Sequence, residues 1–404
     1  MSNEEEDRMT KQTENHNQGP LTAEQKRIMR RRKARKRALG RLVALVLFVA
    51  VLVVVWQNWD VLAPDRLMSE FEMLVGSGTG EYPVDMSGVS VRRLEKAEQY
   101  GVVLTESHLI YLNHGGAEVA RYSCSYPTPL MKTAGKYVLV AEQGGRRLQL
   151  STRSAVVLEL ETKRDIIAVA LNEKGKLAVL TDGPQGYAVE ISVYNRKGEL
   201  VYTRDRNVVV TDVALSANGK QVAMLSPEAV NGTLNTRMDV FSVKTTDTEA
   251  VCSYVAKDAL LYRLEYLQNG WVAGFGENGA VMLDTTDGLA TVYAPEGVKV
   301  LGYATTGNHL ALAVRPYGTT AGGEIHVVGK DGDPMTTVVF TGELRHLSGQ
   351  NGAYALLTDS YVQKIAKNGA DGMADMAADG QQVILDGNSA IVLGLNRIDS
   401  YALN

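Results

Sequence analysis

Apolar and polar positions alternate in three different ways along the chain. Residues 1 to 41 are almost wholly polar, Leu42 to Trp56 run fifteen residues without a polar side chain, and from about Val84 onward short β-branched and aliphatic runs are broken every few residues by Gly, Asn or Asp. The first pattern predicts a disordered tail (1–38). The second predicts a single transmembrane helix (39–59), since 21 residues suffice to cross about 30 Å of hydrocarbon. The third has no sustained helical period and predicts an all-β domain (83–404). Between them, 60–82 reads as a short juxtamembrane helix, Pro64 to Val75, followed by the Gly-rich linker Gly76 to Gly80.

Internal repetition narrows the β domain. The segment 170–181 (ALNEKGKLAVLT) recurs as 214–226 (ALSANGKQVAMLS) at an offset near 44, and Cys124-Ser-Tyr126 recurs as Cys252-Ser-Tyr254. One turn of the repeat extends along the chain as Gly101, Gly135, Gly175, Gly219, Gly270, Gly307, Gly352 and Gly387, at a mean spacing of about 41 residues. A second turn follows in Asn195–Gly198, Thr286–Gly288, Lys330–Gly332 and Lys367–Gly369, where Gly and Asn tolerate positive φ. Two hairpins per unit make four strands, the content of a propeller blade. Eight turns predict eight blades, with seven as the alternative because the last two units are the least regular. The final unit lacks an outer strand, and residues 83–90 are expected to supply it and close the ring.

Charge fixes a direction for the span. To Arg41 there are 12 Lys/Arg against 6 Asp/Glu, a balance of +6; the remaining 30 basic and 40 acidic residues balance at −10. Arg37 and Arg41 on one side of the apolar run, with Trp56 and Trp59 at the other, predict a cytoplasmic N-terminus and an extracytoplasmic propeller. Partners implied are the lipid bilayer through 39–59 and anionic headgroups near the basic run. A cleaved signal peptide is the alternative; it requires an unusually long charged leader and Pro64 after the cut. Nucleic acid is not expected, because a basic run beside an apolar span is a topology signal.

At the aligned repeats, in strands such as Thr211–Ser216 followed by Asn218-Gly-Lys220, the sequence resembles the broad WD40-like and quinoprotein-like propellers. The Gly-His and Trp-Asp signatures of the first and the Trp docking repeat of the second are missing. Neither a WD40 interaction nor a quinone cofactor therefore carries over. The whole layout is similar to an uncharacterised bacterial family known only as a domain of unknown function, and this resemblance implies no catalytic residues.

Candidate chemistry is sparse. The six histidines (16, 108, 114, 309, 326 and 346) form no metal-binding pair, and there is no nucleophile elbow or P-loop. Asp331-Gly-Asp333 reads as a solvated hairpin, and Asn231-Gly-Thr233 fits a glycosylation acceptor. No catalytic residue, metal or cofactor is expected. Cys124 and Cys252, three units apart around a ring, are expected to stay unpaired because they lie beyond disulfide reach. Three connections between second and third strands are long: Asp182 to Tyr187, Pro227 to Thr236 and Pro316 to Gly323. Shared connection type puts them on one face, and Tyr187, Pro227, Asn231, Pro316 and Tyr317 are the candidate binding residues.

The expected function is a membrane-anchored protein-binding or scaffold propeller at the cell envelope. A propeller hydrolase or lactonase is the first alternative and requires acids and histidines on the innermost strands; those of the third and fourth units read Ala-Val-Ala-Leu and Asp-Val-Ala-Leu, with only Asp212 acidic. A ligand sensor signalling through the span is the second.

Overall fold

The computed structural model describes residues 80–403 apart from 245–248 and 377–378. The tail, the apolar run 39–59 and its flanking Arg37, Arg41, Trp56 and Trp59 lie outside the described residues. Among the described residues no helix is long and apolar enough to cross a membrane.

Eight four-stranded antiparallel sheets follow one another along the chain, so eight blades replace the seven-blade alternative. We number them 1 (91–123), 2 (129–161), 3 (166–206), 4 (212–256), 5 (261–293), 6 (298–340), 7 (344–375) and 8 (382–402 with 84–85). Within a blade the first strand is innermost, lining the ring's axis, and the last is outermost. In blade 8 the outer strand is Val84–Asp85, which pairs with Ile398 and Arg397. The Met86 amide extends this pairing by donating to the Asn396 carbonyl at 2.8 Å. The expected closure by residues 83–90 is therefore found, and the last sheet is finished by the first strand of the domain.

Packing explains why the middle strands are continuously apolar rather than alternating. In the second strand of blade 2, Tyr137–Glu142, Val138 and Val140 pack with Tyr100, Val102, Leu109 and Tyr111 of blade 1. Leu139 and Ala141 point the other way, onto Ile166, Val169, Leu177 and Val179 of blade 3. Both faces of each sheet are covered by a neighbouring blade, so both parities must be apolar. Eight buried clusters result, one per interface, and the cluster between blades 8 and 1 unites Met86, Leu94 and Leu112 with Ile384, Ile391 and Ile398. Each buried aliphatic side chain contributes roughly 1.5–3 kcal/mol, and in a ring that contribution is shared by two sheets.

Seven of the eight repeat glycines sit in the first hairpin with positive φ, from 54° at Gly135 to 86° at Gly270. Gly101 does not. It lies inside the strand Tyr100–Thr105, and the left-handed turn residue of blade 1 is Glu98, with φ 52°. The repeat's phase survives because the second strand begins at the same place.

The two cysteines are free, Cys124 buried and Cys252 partly so. They belong to blades 1 and 4, as the three-unit offset implies, but their positions are not equivalent: Cys124 follows the outer strand Glu118–Ser123, whereas Cys252 begins the outer strand Cys252–Ala256. The Cys-Ser-Tyr match is coincidental in register.

Candidate functional site

Chain direction sorts the loops onto two faces. Connections between second and third strands, and those from one blade to the next, lie on one face, called upper here; first-to-second and third-to-fourth turns lie on the lower face. All three of the long connections singled out from the sequence are therefore on the upper face, in blades 3, 4 and 6.

Their conformations differ from one another. Residues 183–188 form a compact loop in which the Tyr187 amide donates to the Pro184 carbonyl at 2.9 Å, leaving the Tyr187 side chain 50% exposed. Pro227 to Thr236 is not a loop, contrary to the reading of Pro227 and Asn231-Gly232 as irregular. The strands Gln221–Val230 and Thr233–Ser242 pair without interruption through Pro227↔Thr236 to Val230↔Thr233. Asn231 (φ 52°) and Gly232 (φ 83°) make the two-residue turn, whose positive φ at both positions matches the twist of a hairpin. Since the innermost strand of blade 4 pairs only as far as Leu225, the end of this hairpin stands beyond the sheet. In blade 6, Pro316 ends the strand His309–Pro316. The loop after it is tied by Arg315, which donates through Nε to the Gly322 carbonyl at 2.7 Å and through Nη1 to Thr320 at 3.0 Å. Tyr317 in this fixed loop is 68% exposed.

The same face gathers exposed apolar side chains. Val89, Val208, Val209, Leu260 and Leu395 lie in its other connections, Val230 and Leu234 on the blade 4 hairpin, and Tyr262 at the start of an innermost strand. With Tyr187 and Tyr317 that is ten of the described large apolar residues exposed to solvent; the other nine lie on outermost strands or immediately before them. The first-to-second turns of the lower face carry none.

At the centre of the ring the innermost strands enclose a channel whose upper mouth is a cavity of about 410 Å³. One register level of these strands supplies Arg93 (opposite Leu104), Asp212 (Leu225), Arg263 (Phe275), His346 (Leu357) and Gln382 (Leu393). In blades 1, 3, 5, 6 and 7 a bulge stands just before this level; bulges re-aim the side chains that follow them. One step deeper lie Glu95, Lys132, Glu265 and Ser348. Most of this charged lining was missed from the sequence, because the two innermost strands read there, those of blades 3 and 4, contribute only Asp212 to it. The signal was available as period-two pairs: Arg93/Glu95, Arg263/Glu265, His346/Ser348.

Three members of the upper level act as joints between blades. An innermost strand has one edge with no strand beside it, and its amides need acceptors. Asp212 Oδ2 accepts from the Leu264 amide at 2.9 Å, His346 Nδ1 from Val383 at 3.2 Å, and Gln382 Oε1 from Leu94 at 2.8 Å. In each case the acceptor serves the next blade at the residue one beyond its own level. Because His346 Nδ1 accepts, the neutral ring carries its proton on Nε2; burial, aided by the Arg93 charge, holds its pKa down at about 4. Burial pushes the Asp212 carboxyl up, against the opposing pull of Lys132, Arg263 and the amides of Leu264 and Val213. Burial likewise raises Glu95, opposed by Arg93 and Lys132 and reinforced by Glu265.

Among the described residues no group of three or more His, Cys, Asp or Glu is placed to hold a metal ion.

A family model described as a family of unknown function, DUF5711, matches residues 82–399. No curated protein matches the sequence. Among solved structures the chain is similar to BamB from Moraxella catarrhalis, with 10% identity, a TM-score of 0.49, and 81% of this chain and 99% of that one covered. It is also similar to the WD40 domain of Neurospora crassa Pan2, with 11% identity, a TM-score of 0.47, and 79% and 90% covered.

Proposed function

The chain belongs to the DUF5711 family of unknown function, and from the distribution of apolar side chains on its propeller we propose that it is a non-enzymatic interaction module, tethered to the cell membrane by residues 39–59, that offers its upper face to a protein partner. The observation that carries the reading is the gathering of ten exposed large apolar residues on that face. Scattered exposed apolar residues are ordinary; their concentration on one side of a rigid disc is the pattern of an interaction surface. The blade 4 hairpin, with Val230 and Leu234, and the fixed Tyr317 loop project from it. The tether and the extracytoplasmic placement rest on the sequence alone, on the basic run before the apolar one and the tryptophans after it.

Crosslinking of the full-length protein in its native cell tests both parts. The triple variant Val230→Ser, Leu234→Ser, Tyr317→Ser is expected to lose the crosslinked species while retaining the native melting temperature. Capture at the native level by this variant would overturn the assignment of the face. Labelling of introduced cysteines near residues 3 and 403 in whole cells tests the tether: only the second should be accessible from outside, and labelling of the first would overturn the orientation.

A further inference from the structure

The channel mouth holds more donors than the protein uses. Two of its carboxylates are engaged: Asp212 accepts from the amides of Val213 and Leu264, and Glu265 from the Thr305 hydroxyl. Its cations are less fully used: among the described residues Arg93 and Lys132 form no ion pair, whereas Arg263 pairs with Asp212 at 3.8 Å and hydrogen-bonds the Tyr303 side chain. Among the described residues, His346 has its Nε2–H left over after Nδ1 has served Val383, and the buried Ser348 hydroxyl has no hydrogen-bond partner. Guanidinium, ammonium, imidazole and hydroxyl groups from blades 1, 2, 5 and 7 thus converge on one cavity of about 410 Å³, a volume suited to a small molecule.

A surplus of donors in a partly desolvated cavity matches one ligand chemistry. We infer that the upper mouth of the channel is a binding site for a compact oxyanion, a carboxylate or phosphate group of one or two charges, with Arg93, Lys132 and Arg263 as its ionic contacts. Arg presents paired N–H groups that fit two oxygens at once, and charge-assisted bonds of this kind are stronger than neutral ones. Glu95, beside Arg93 and Lys132, sets the limit on ligand charge: a polyanion would meet it and the net −10 of residues 42–404. The site is independent of the partner reading, since it needs neither the hairpin nor the exposed aromatics of the face.

Calorimetric titration of the full-length protein in detergent at low salt, with inorganic phosphate in one series and succinate in another, tests it. Saturable binding of either anion is expected, and which one binds distinguishes the phosphate from the carboxylate. Arg93→Gln and Lys132→Gln should each weaken binding tenfold or more, while Lys257→Gln, at an exposed position outside the mouth, should leave it unchanged. Absence of saturation with both anions, or native affinity in both channel variants, overturns the inference. Should Arg93→Gln fail to fold, the Lys132 variant decides alone, because that side chain makes no hydrogen bond among the described residues.

Discussion

Asp212 and Leu264 are 52 residues apart in sequence and belong to different sheets, yet the carboxylate of one accepts the main-chain N–H of the other at 2.9 Å with both groups buried. Among the described residues no strand ladder joins blades 4 and 5 at this level. The joint is a side chain doing what a fifth strand would otherwise do. Asp212→Ala should leave the Leu264 amide unmatched and lower stability by about 1–3 kcal/mol. Asp212→Asn retains an oxygen acceptor and should cost clearly less. Urea denaturation of the two variants checks this, and equal losses would show that charge rather than the acceptor matters.

His346 plays the same part with a group that titrates. Its pKa is held at about 4 in the folded chain against an ordinary value of 6.5, so between those limits the unfolded chain binds the extra proton and stability falls as the pH is lowered. Full development of the difference corresponds to roughly 3 kcal/mol at most. His346→Gln places at this joint the residue that already serves at Gln382, and should flatten the loss between pH 6.5 and 4. Melting temperatures recorded across that range measure it.

Ring closure rests on few contacts. Val84 and Asp85 contribute two register pairs, and Met86 is buried among Leu94, Leu112 and Ile391. Met86→Ala should cost about 2–5 kcal/mol, and Val84→Pro should disturb the pairing itself. Limited proteolysis is expected to cut both variants first within residues 82–90 or 394–403; native resistance there would show that the clasp adds little.

The free thiols should be inert in the folded protein. Burial raises both to about 11, with Tyr-facing apolar surroundings at Cys124 and the added repulsion of Asp284, Asp239 and Asp287 at Cys252. At pH 8 the thiolate population is then on the order of one in a thousand. Alkylation by iodoacetamide is expected to be at least a hundredfold slower than in urea, with mass spectrometry finding two free thiols.

How far the sequence reaches depends on whether a property is local. The seven repeat glycines with positive φ announce themselves because a left-handed turn residue is a demand of the backbone at that residue. Gly101 misled for the same reason in reverse: Glu98 takes the left-handed position without glycine, and the nearest glycine was drawn into its place. Pro227 and Asn231-Gly232 read as a loop because turn residues and a proline cluster there, whereas Pro227 is tolerated in the hairpin because the innermost strand stops at Leu225 and leaves that edge of it open. Closure by 83–90 was legible because a sheet short of a strand and a spare strand at the other end of the chain have one economical solution. Of the channel's lining only Asp212 was legible, as the acid of an innermost strand. Arg93, Lys132, Arg263 and His346 each look like an ordinary polar residue on a half-exposed strand, and only the ring's curvature brings their side chains to one axis. The exposed apolar residues of the upper face escaped for a related reason, since Val89, Val209, Leu260 and Leu395 become a surface only when connections far apart in sequence share a side.

The closing strand also sets a timetable. Blades 1 to 7 each contain all their strands in one stretch of chain and can form as that stretch is made. Val84–Asp85, synthesised before any of them, has no partner until Arg397 and Ile398 exist. The nascent protein is therefore an open crescent with one orphan strand, exposing the apolar sides of blades 1 and 7, until residues 382–402 leave the ribosome. A chain stopped short of them would keep both surfaces bare and be marked for aggregation or degradation, so this architecture carries its own test of completeness.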